Sequence, residues 1–193
     1  MQILKREGQL QRFLWKLKKK GVFKDDEYKR LYPKGSMIAR IYGLPKIHKL
    51  KDVSDELKLR PIVSAIGSYN YHLADYLGKK LTPYISQKYT TKDTFSFVNE
   101  ISQKSSKDTF LISYDVTSLF TNIPLSETID IAVNVIFENE PNLKMKKEEL
   151  KKLFTFATSE SHFIFEGKIY DQIDGVTMGS PLGPVLANLF MGH

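Results

Sequence analysis

A chain of 193 residues with 41% apolar and 12% aromatic side chains is long enough to bury a sizeable core, and its lack of cysteine excludes a disulfide framework or a thiolate zinc site. The four histidines show no ligand spacing and are read as structural or solvated; no apolar run reaches the twenty or so residues a bilayer span needs, and Lys5, Arg6 and Arg12 interrupt any signal-peptide core. The net charge of +7 is uneven: residues 1–60 carry 17 Lys and Arg against 7 Asp and Glu, the remainder 12 against 15. A basic front of this kind suits a polyanionic partner, because each phosphate neutralised by Lys or Arg releases condensed counterion.

The apolar spacing predicts a basic amphipathic helix over 5–20, with Leu10, Phe13, Leu14 and Leu17 on one face and Gly21 as its stop. A short helix is predicted over 25–32, ended by Pro33, and a strand over 37–42 from its β-branched and aromatic content. Residues 43–49 read as a turn leaving that strand and carrying Lys46 and Lys49, and 50–59 as a polar loop. Pro61 disfavours helix at Arg60, so 60–64 resume an extended path that would pair with the first strand.

Helices follow over 70–81 and 92–103, the second with Thr90 and Thr91 as cap candidates and with Phe95, Val98 and Ile101 at near-helical spacing. A strand is predicted over 110–114, then helices over 126–139 and 146–158 separated by Pro141. A hairpin over 161–170 turns at Glu166-Gly167, and a last helix starts at Pro184 and runs to 191. Antiparallel pieces mixed with helices, without repeats or linkers, indicate an α+β fold.

Three segments carry candidate chemistry. Asp115 ends the apolar run 110–114, so it would emerge at a sheet edge where a rigid backbone lets a carboxylate hold Mg²⁺. A pair of metal ions in phosphoryl transfer needs more than one carboxylate, and an aspartate that merely caps the turn through Thr117 and Ser118 is the competing reading. Phe120 is an aromatic in an otherwise polar turn, suited to a sugar ring or to the core. Gly175-Val-Thr-Met-Gly-Ser-Pro-Leu-Gly-Pro184 permits close backbone approach and would leave amides to meet phosphates or bases at a helix entry. It matches neither a phosphate-binding Gly-Lys-Ser/Thr loop nor a nucleophile elbow, which argues against a serine hydrolase.

Four blocks occur in order: Tyr42-Gly-Leu-Pro-Lys-Ile-His-Lys49, Arg60-Pro-Ile-Val-Ser64, Asp115-Val-Thr-Ser-Leu-Phe120-Thr-Asn-Ile-Pro124 and Gly175-Val-Thr-Met-Gly-Ser-Pro-Leu-Gly-Pro-Val-Leu-Ala-Asn188. Together they resemble reverse transcriptases, most closely those of Penelope-like retroelements; Met178, where many reverse transcriptases have Gln, is typical of that group. The resemblance implies a basic helical extension over 1–36, fingers over 37–109 and a partial palm over 110–193 of a right-hand polymerase. It implies Asp115 and the carbonyl of Val116 as metal ligands, and Phe120 as the gate against a ribose 2′-hydroxyl. Arg60, with Lys58, would neutralise the incoming triphosphate, a role suited to a planar guanidinium. Met178 and Gly179 would border the nascent base pair, and Lys46 and Lys49 would lie near the template backbone.

The family's activity is RNA-directed DNA synthesis with two Mg²⁺ ions, an RNA template, a DNA primer and deoxynucleoside triphosphates, in an intracellular, nuclear setting. Its next palm motif, an adjacent Asp pair, would lie beyond His193. The palm is therefore expected to be incomplete at its C-terminus and the chain inactive alone. The alternatives are a non-catalytic nucleic-acid-binding relic or domesticated module, and a basic scaffold that binds protein.

Overall fold

The computed structural model describes residues 2–47, 56–86, 90–104, 110–158 and 162–193. Helix α1 (Gln2–Lys19) buries Leu10, Leu14 and Leu17 completely, as their spacing requires, and ends at Gly21, whose φ of +73° suits a residue without Cβ. Three lysines in its last turn face the negative end of the helix dipole. Helix α2 (Asp25–Leu31) opens on three acidic residues, and the Glu27 carboxylate accepts the Lys24 N–H at 2.9 Å. The Lys18 ammonium, 2.8 Å from Asp25, bonds that carboxyl and holds it below the usual carboxylate range.

The remaining long helices, α3 (Tyr71–Leu81), α6 (Leu125–Asn139), α7 (Lys147–Thr158) and α8 (Gly183–Gly192), close around one core with α1. Leu14, Leu77, Phe154 and Leu186 are all fully buried in it, so the core draws on residues from each of the stretches 1–36, 37–109 and 110–193. Asn70, just before α3, donates to the carbonyls of Phe156 and Ala157 at 3.2 and 3.3 Å, which satisfies the C-terminal end of α7 from another element. Among the described residues no helix is long and apolar enough to cross a membrane.

Strands β1 (Ala39–Pro45), β2 (Leu59–Ser64), β3 (His162–Phe165) and β4 (Lys168–Asp171) form one mixed sheet in the order β2-β1-β3-β4. The fold is α+β, with eight helices and this four-stranded sheet among the described residues. β1 and β2 are antiparallel, with Tyr42 opposite Ile62 and Leu44 opposite Arg60; β1 and β3 are parallel at Ala39–Phe163 and Arg40–Ile164. The β3–β4 hairpin turns on Glu166 and Gly167, both left-handed at φ 48° and 74°, the combination whose twist matches the flanking strands.

Three local expectations change. β1 continues through Gly43 and Leu44 to Pro45, where a turn was predicted; β2 supplies partners for these residues, and the Lys46 N–H extends the ladder to the Lys58 carbonyl at 2.9 Å. Most of the predicted loop 50–59, with Lys49, falls outside the described residues. Residues 110–114 form no strand, and Phe110 is 92% exposed. An apolar, β-prone run becomes a strand only when a neighbour satisfies its amides and carbonyls, and none of the four strands pairs with it. Short helix α4 (Thr94–Lys104) is capped by Asp93, not Thr90 or Thr91: its carboxylate accepts the Ser96 N–H at 2.8 Å, and that bond lowers its pKa. α4 has no buried residue, so its apolar spacing carries no packing consequence among the described residues.

Two tyrosines tie stability to alkaline pH. Burial pushes the phenols of Tyr69 and Tyr76 up to about 12. The unfolded chain releases these protons first, near the ordinary tyrosine value of 10.0, so their contribution is intact below pH 10 and is lost as pH rises through about 12. We expect urea stability to fall across that window by roughly 2 kcal/mol per tyrosine. Phenolate absorbance should show two tyrosines ionising later than the rest. Stability flat to pH 12 would contradict this.

Candidate functional site

The glycine-rich segment touches two of the other singled-out blocks. The Val176 N–H donates to the Phe120 carbonyl at 2.7 Å, and the Met178 carbonyl accepts the Val63 N–H of β2 at 2.8 Å. Glycine makes both approaches possible. Gly175 has φ +72°, and a Cβ there would lie 2.7 Å from the Phe120 carbonyl oxygen. Gly179 has φ +119°, and a Cβ there would lie 2.3 Å from the Val63 carbonyl oxygen.

The Phe120 side is shaped by one-turn helix α5 (Leu119–Asn122), entered through Ser118 in the left-handed region at φ 52°. Asn122 Nδ2 donates to the Thr117 carbonyl and Thr121 Oγ1 to the Ser118 carbonyl, each at 3.0 Å. Asp174 joins the pieces: its carboxylate accepts the Gly175 N–H at 2.8 Å and the Leu125 N–H of α6 at 3.5 Å. Sequence reading passed over Asp174. Its position immediately before a glycine turn, where a carboxylate commonly accepts a nearby amide, was the available signal.

The predicted site residues thus divide. Phe120 is half-buried against the core and meets the glycine-rich segment at Gly175 and Val176, whereas Met178, half-buried, and Gly179, exposed, meet β2 at Val63. Arg60 lies on β2 three residues before Val63, exposed and opposite Leu44, and Lys58 and Lys46 meet through their backbones at the open end of the same ladder. Asp115 and Val116 are exposed in the stretch that forms no strand, so the expected sheet-edge placement of the carboxylate does not occur. Among the described residues Asp115 enters no ion pair or hydrogen bond, and the turn capping offered as its competing role is performed by Asn122 and Thr121 instead.

The amides of the glycine-rich segment are also less available than expected. Those of Gly175, Val176, Ser180, Leu182 and Gly183 bond within the protein. The segment acts as a bracket between α5 and β2 rather than as an open anion cradle. Mg²⁺ takes oxygen donors, and Asp115 with the Val116 carbonyl supplies part of such a set. No group of three or more His, Cys, Asp or Glu among the described residues surrounds it, so the donors present do not fit a two-cation site.

Behind the bracket, Thr177, Ser180 and Val63 line a cavity of about 20 Å³ with Tyr69 and His162. His162 is buried, as a structural histidine should be, and its Nδ1 pairs with the Asp171 carboxylate across the hairpin.

No protein-family model matches the chain, and neither a curated protein nor a solved structure does. The functional reading therefore rests on the residues and their geometry.

Proposed function

We propose that this chain is the fingers and first part of the palm of an RNA-directed DNA polymerase of the Penelope-like type, with 1–36 as a basic extension, 37–109 as fingers and 110–193 as partial palm. The observation that carries the reading is the bracket. Three sequence blocks that such an enzyme would need at one nucleotide site are joined by two backbone hydrogen bonds, Val176 to Phe120 and Val63 to Met178. In this reading Arg60 and Lys58 neutralise a triphosphate, Phe120 senses the sugar, Met178 and Gly179 border the new base pair, and Lys46 and Lys49 follow the template backbone. Asp115 and the Val116 carbonyl are the metal donors this reading assigns, a partial set that no other His, Cys, Asp or Glu among the described residues completes. Template RNA, primer DNA and deoxynucleoside triphosphates are the proposed ligands.

A non-catalytic nucleic-acid-binding module is the second reading, favoured by the five bracket amides that are spent inside the fold. Binding of a labelled RNA–DNA primer–template by the purified chain, with and without the next complementary nucleotide and Mg²⁺, separates the two. The polymerase reading expects the nucleotide to tighten duplex binding, and Arg60→Ala to weaken that nucleotide effect by about 10- to 100-fold, the scale of a charge-assisted contact. Duplex binding indifferent to nucleotide and to Arg60 would favour the module. Absence of any salt-sensitive binding would sink both. Primer extension by this chain alone is expected to be undetectable; extension abolished by Asp115→Asn would overturn that expectation.

A further inference from the structure

A groove of about 520 Å³ runs between α1 and α7, remote in sequence from every block used above. Arg6, Arg12 and Lys16 from α1 and Lys152 from α7 supply four cations to its walls, and among the described residues no carboxylate lines it. Its floor is aromatic. Phe13 and Phe156 stand 5.8 Å apart at 40°, with the Lys152 ammonium 5.1 Å from the first ring centroid and 6.0 Å from the second. Of the carboxylates on these and adjoining elements, Glu7 is buried and accepts the Ser36 N–H, Glu149 pairs with Lys20 and also feels the charge of Lys16, and Asp130 pairs with Lys151.

We infer that this groove binds single-stranded nucleic acid. Its cations line one groove where the phosphates of a flexible strand could meet them, and its two half-buried rings offer apolar π-surface to unstacked bases, the pairing of features that single-strand sites use. A duplex keeps its bases stacked and has nothing to set on the rings. An acidic peptide would meet the charge but leave the aromatic floor unused. A lipid surface needs an apolar helix face to insert, and that of α1 is occupied by the core through Leu10, Leu14 and Leu17. The inference does not depend on the polymerase reading, since none of the groove residues takes part in the bracket or its cations.

The test measures fluorescence anisotropy of labelled oligothymidylate and oligouridylate of about 12 nucleotides, within single-strand site sizes, binding the whole 193-residue chain across a salt series. Arg12→Glu with Lys16→Glu should weaken both by at least about tenfold and reduce the log–log salt slope by about 1.4, the value for two lost phosphate contacts. Lys144→Glu with Lys168→Glu imposes the same change of charge elsewhere and should cost no more than about threefold. Ultraviolet cross-linking to bromouridine in the strand should map to Phe13 or Phe156.

Equal losses from both double variants would show that net charge alone binds, and would overturn the assignment. So would equal affinity for polyglutamate or for anionic phospholipid vesicles, or cross-links confined to other residues. Should the Glu variants lose their cooperative melt, Arg12→Gln with Lys16→Gln carries the same prediction at smaller amplitude. The nucleotide effect on duplex binding, read through Arg60, reports separately on the polymerase proposal.

Discussion

Gly179→Ala is expected to destabilise the protein by at least about 3 kcal/mol, well above an ordinary surface substitution. Two costs act at once. The backbone sits at φ +119°, which L side chains rarely adopt, and the added methyl carbon would lie 2.3 Å from the Val63 carbonyl oxygen and 3.1 Å from its carbon. Those obstacles are backbone atoms of β2, so no side-chain rotation relieves them. Either β2 or the bracket must move, and the 2.8 Å bond from the Val63 N–H to the Met178 carbonyl breaks. Urea denaturation of wild type and variant measures the loss, and under 1 kcal/mol would show that the close approach is not as described. Because the same bond joins the bracket to the strand bearing Arg60, the variant should also lose the nucleotide effect on duplex binding even where it remains folded.

Phe154→Ala should cost about 3 to 5 kcal/mol, the usual range for removing a buried aromatic ring. Phe154 is fully buried on α7, the helix that packs against both α3 and α6, so the cavity would open where segments from distant parts of the chain meet. The consequence is cooperative. Far-ultraviolet and near-ultraviolet circular dichroism should lose signal in one transition at a lower midpoint, because a single apolar cluster links α1 with the later helices. Two separated transitions would contradict a shared core. Phe95→Ala provides the contrast: that ring is 87% exposed on α4, and its removal should change stability by no more than about 0.5 kcal/mol.

Helices were the most legible part of the sequence. Leu10, Leu14 and Leu17 on α1, and the apolar spacing of α6 and α7, announce their buried faces because side chains three or four apart share one side of a helix. The β3–β4 hairpin was legible from Glu166-Gly167, since its turn needs two residues with positive φ. The glycines at 175 and 179 signalled close approach without naming what approaches them.

Those partners are tertiary facts. The parallel contact of β1 with β3 joins residues more than a hundred positions apart and has no local signature. The same limit explains residues 110–114: their composition is that of a strand, but a strand exists only with hydrogen-bonding neighbours, and pairing is decided by the rest of the fold. The exposed Asp115 and the engaged bracket amides follow from that packing, as does the groove between α1 and α7, whose cations and rings become one surface only when two helices far apart in sequence lie side by side. The sequence by itself determined which segments coil and which residues carry charge or glycine freedom, because those are properties of neighbours along the chain. Only the tertiary structure decided what each meets across space, because long-range pairing depends on the burial and hydrogen bonding of the whole chain at once.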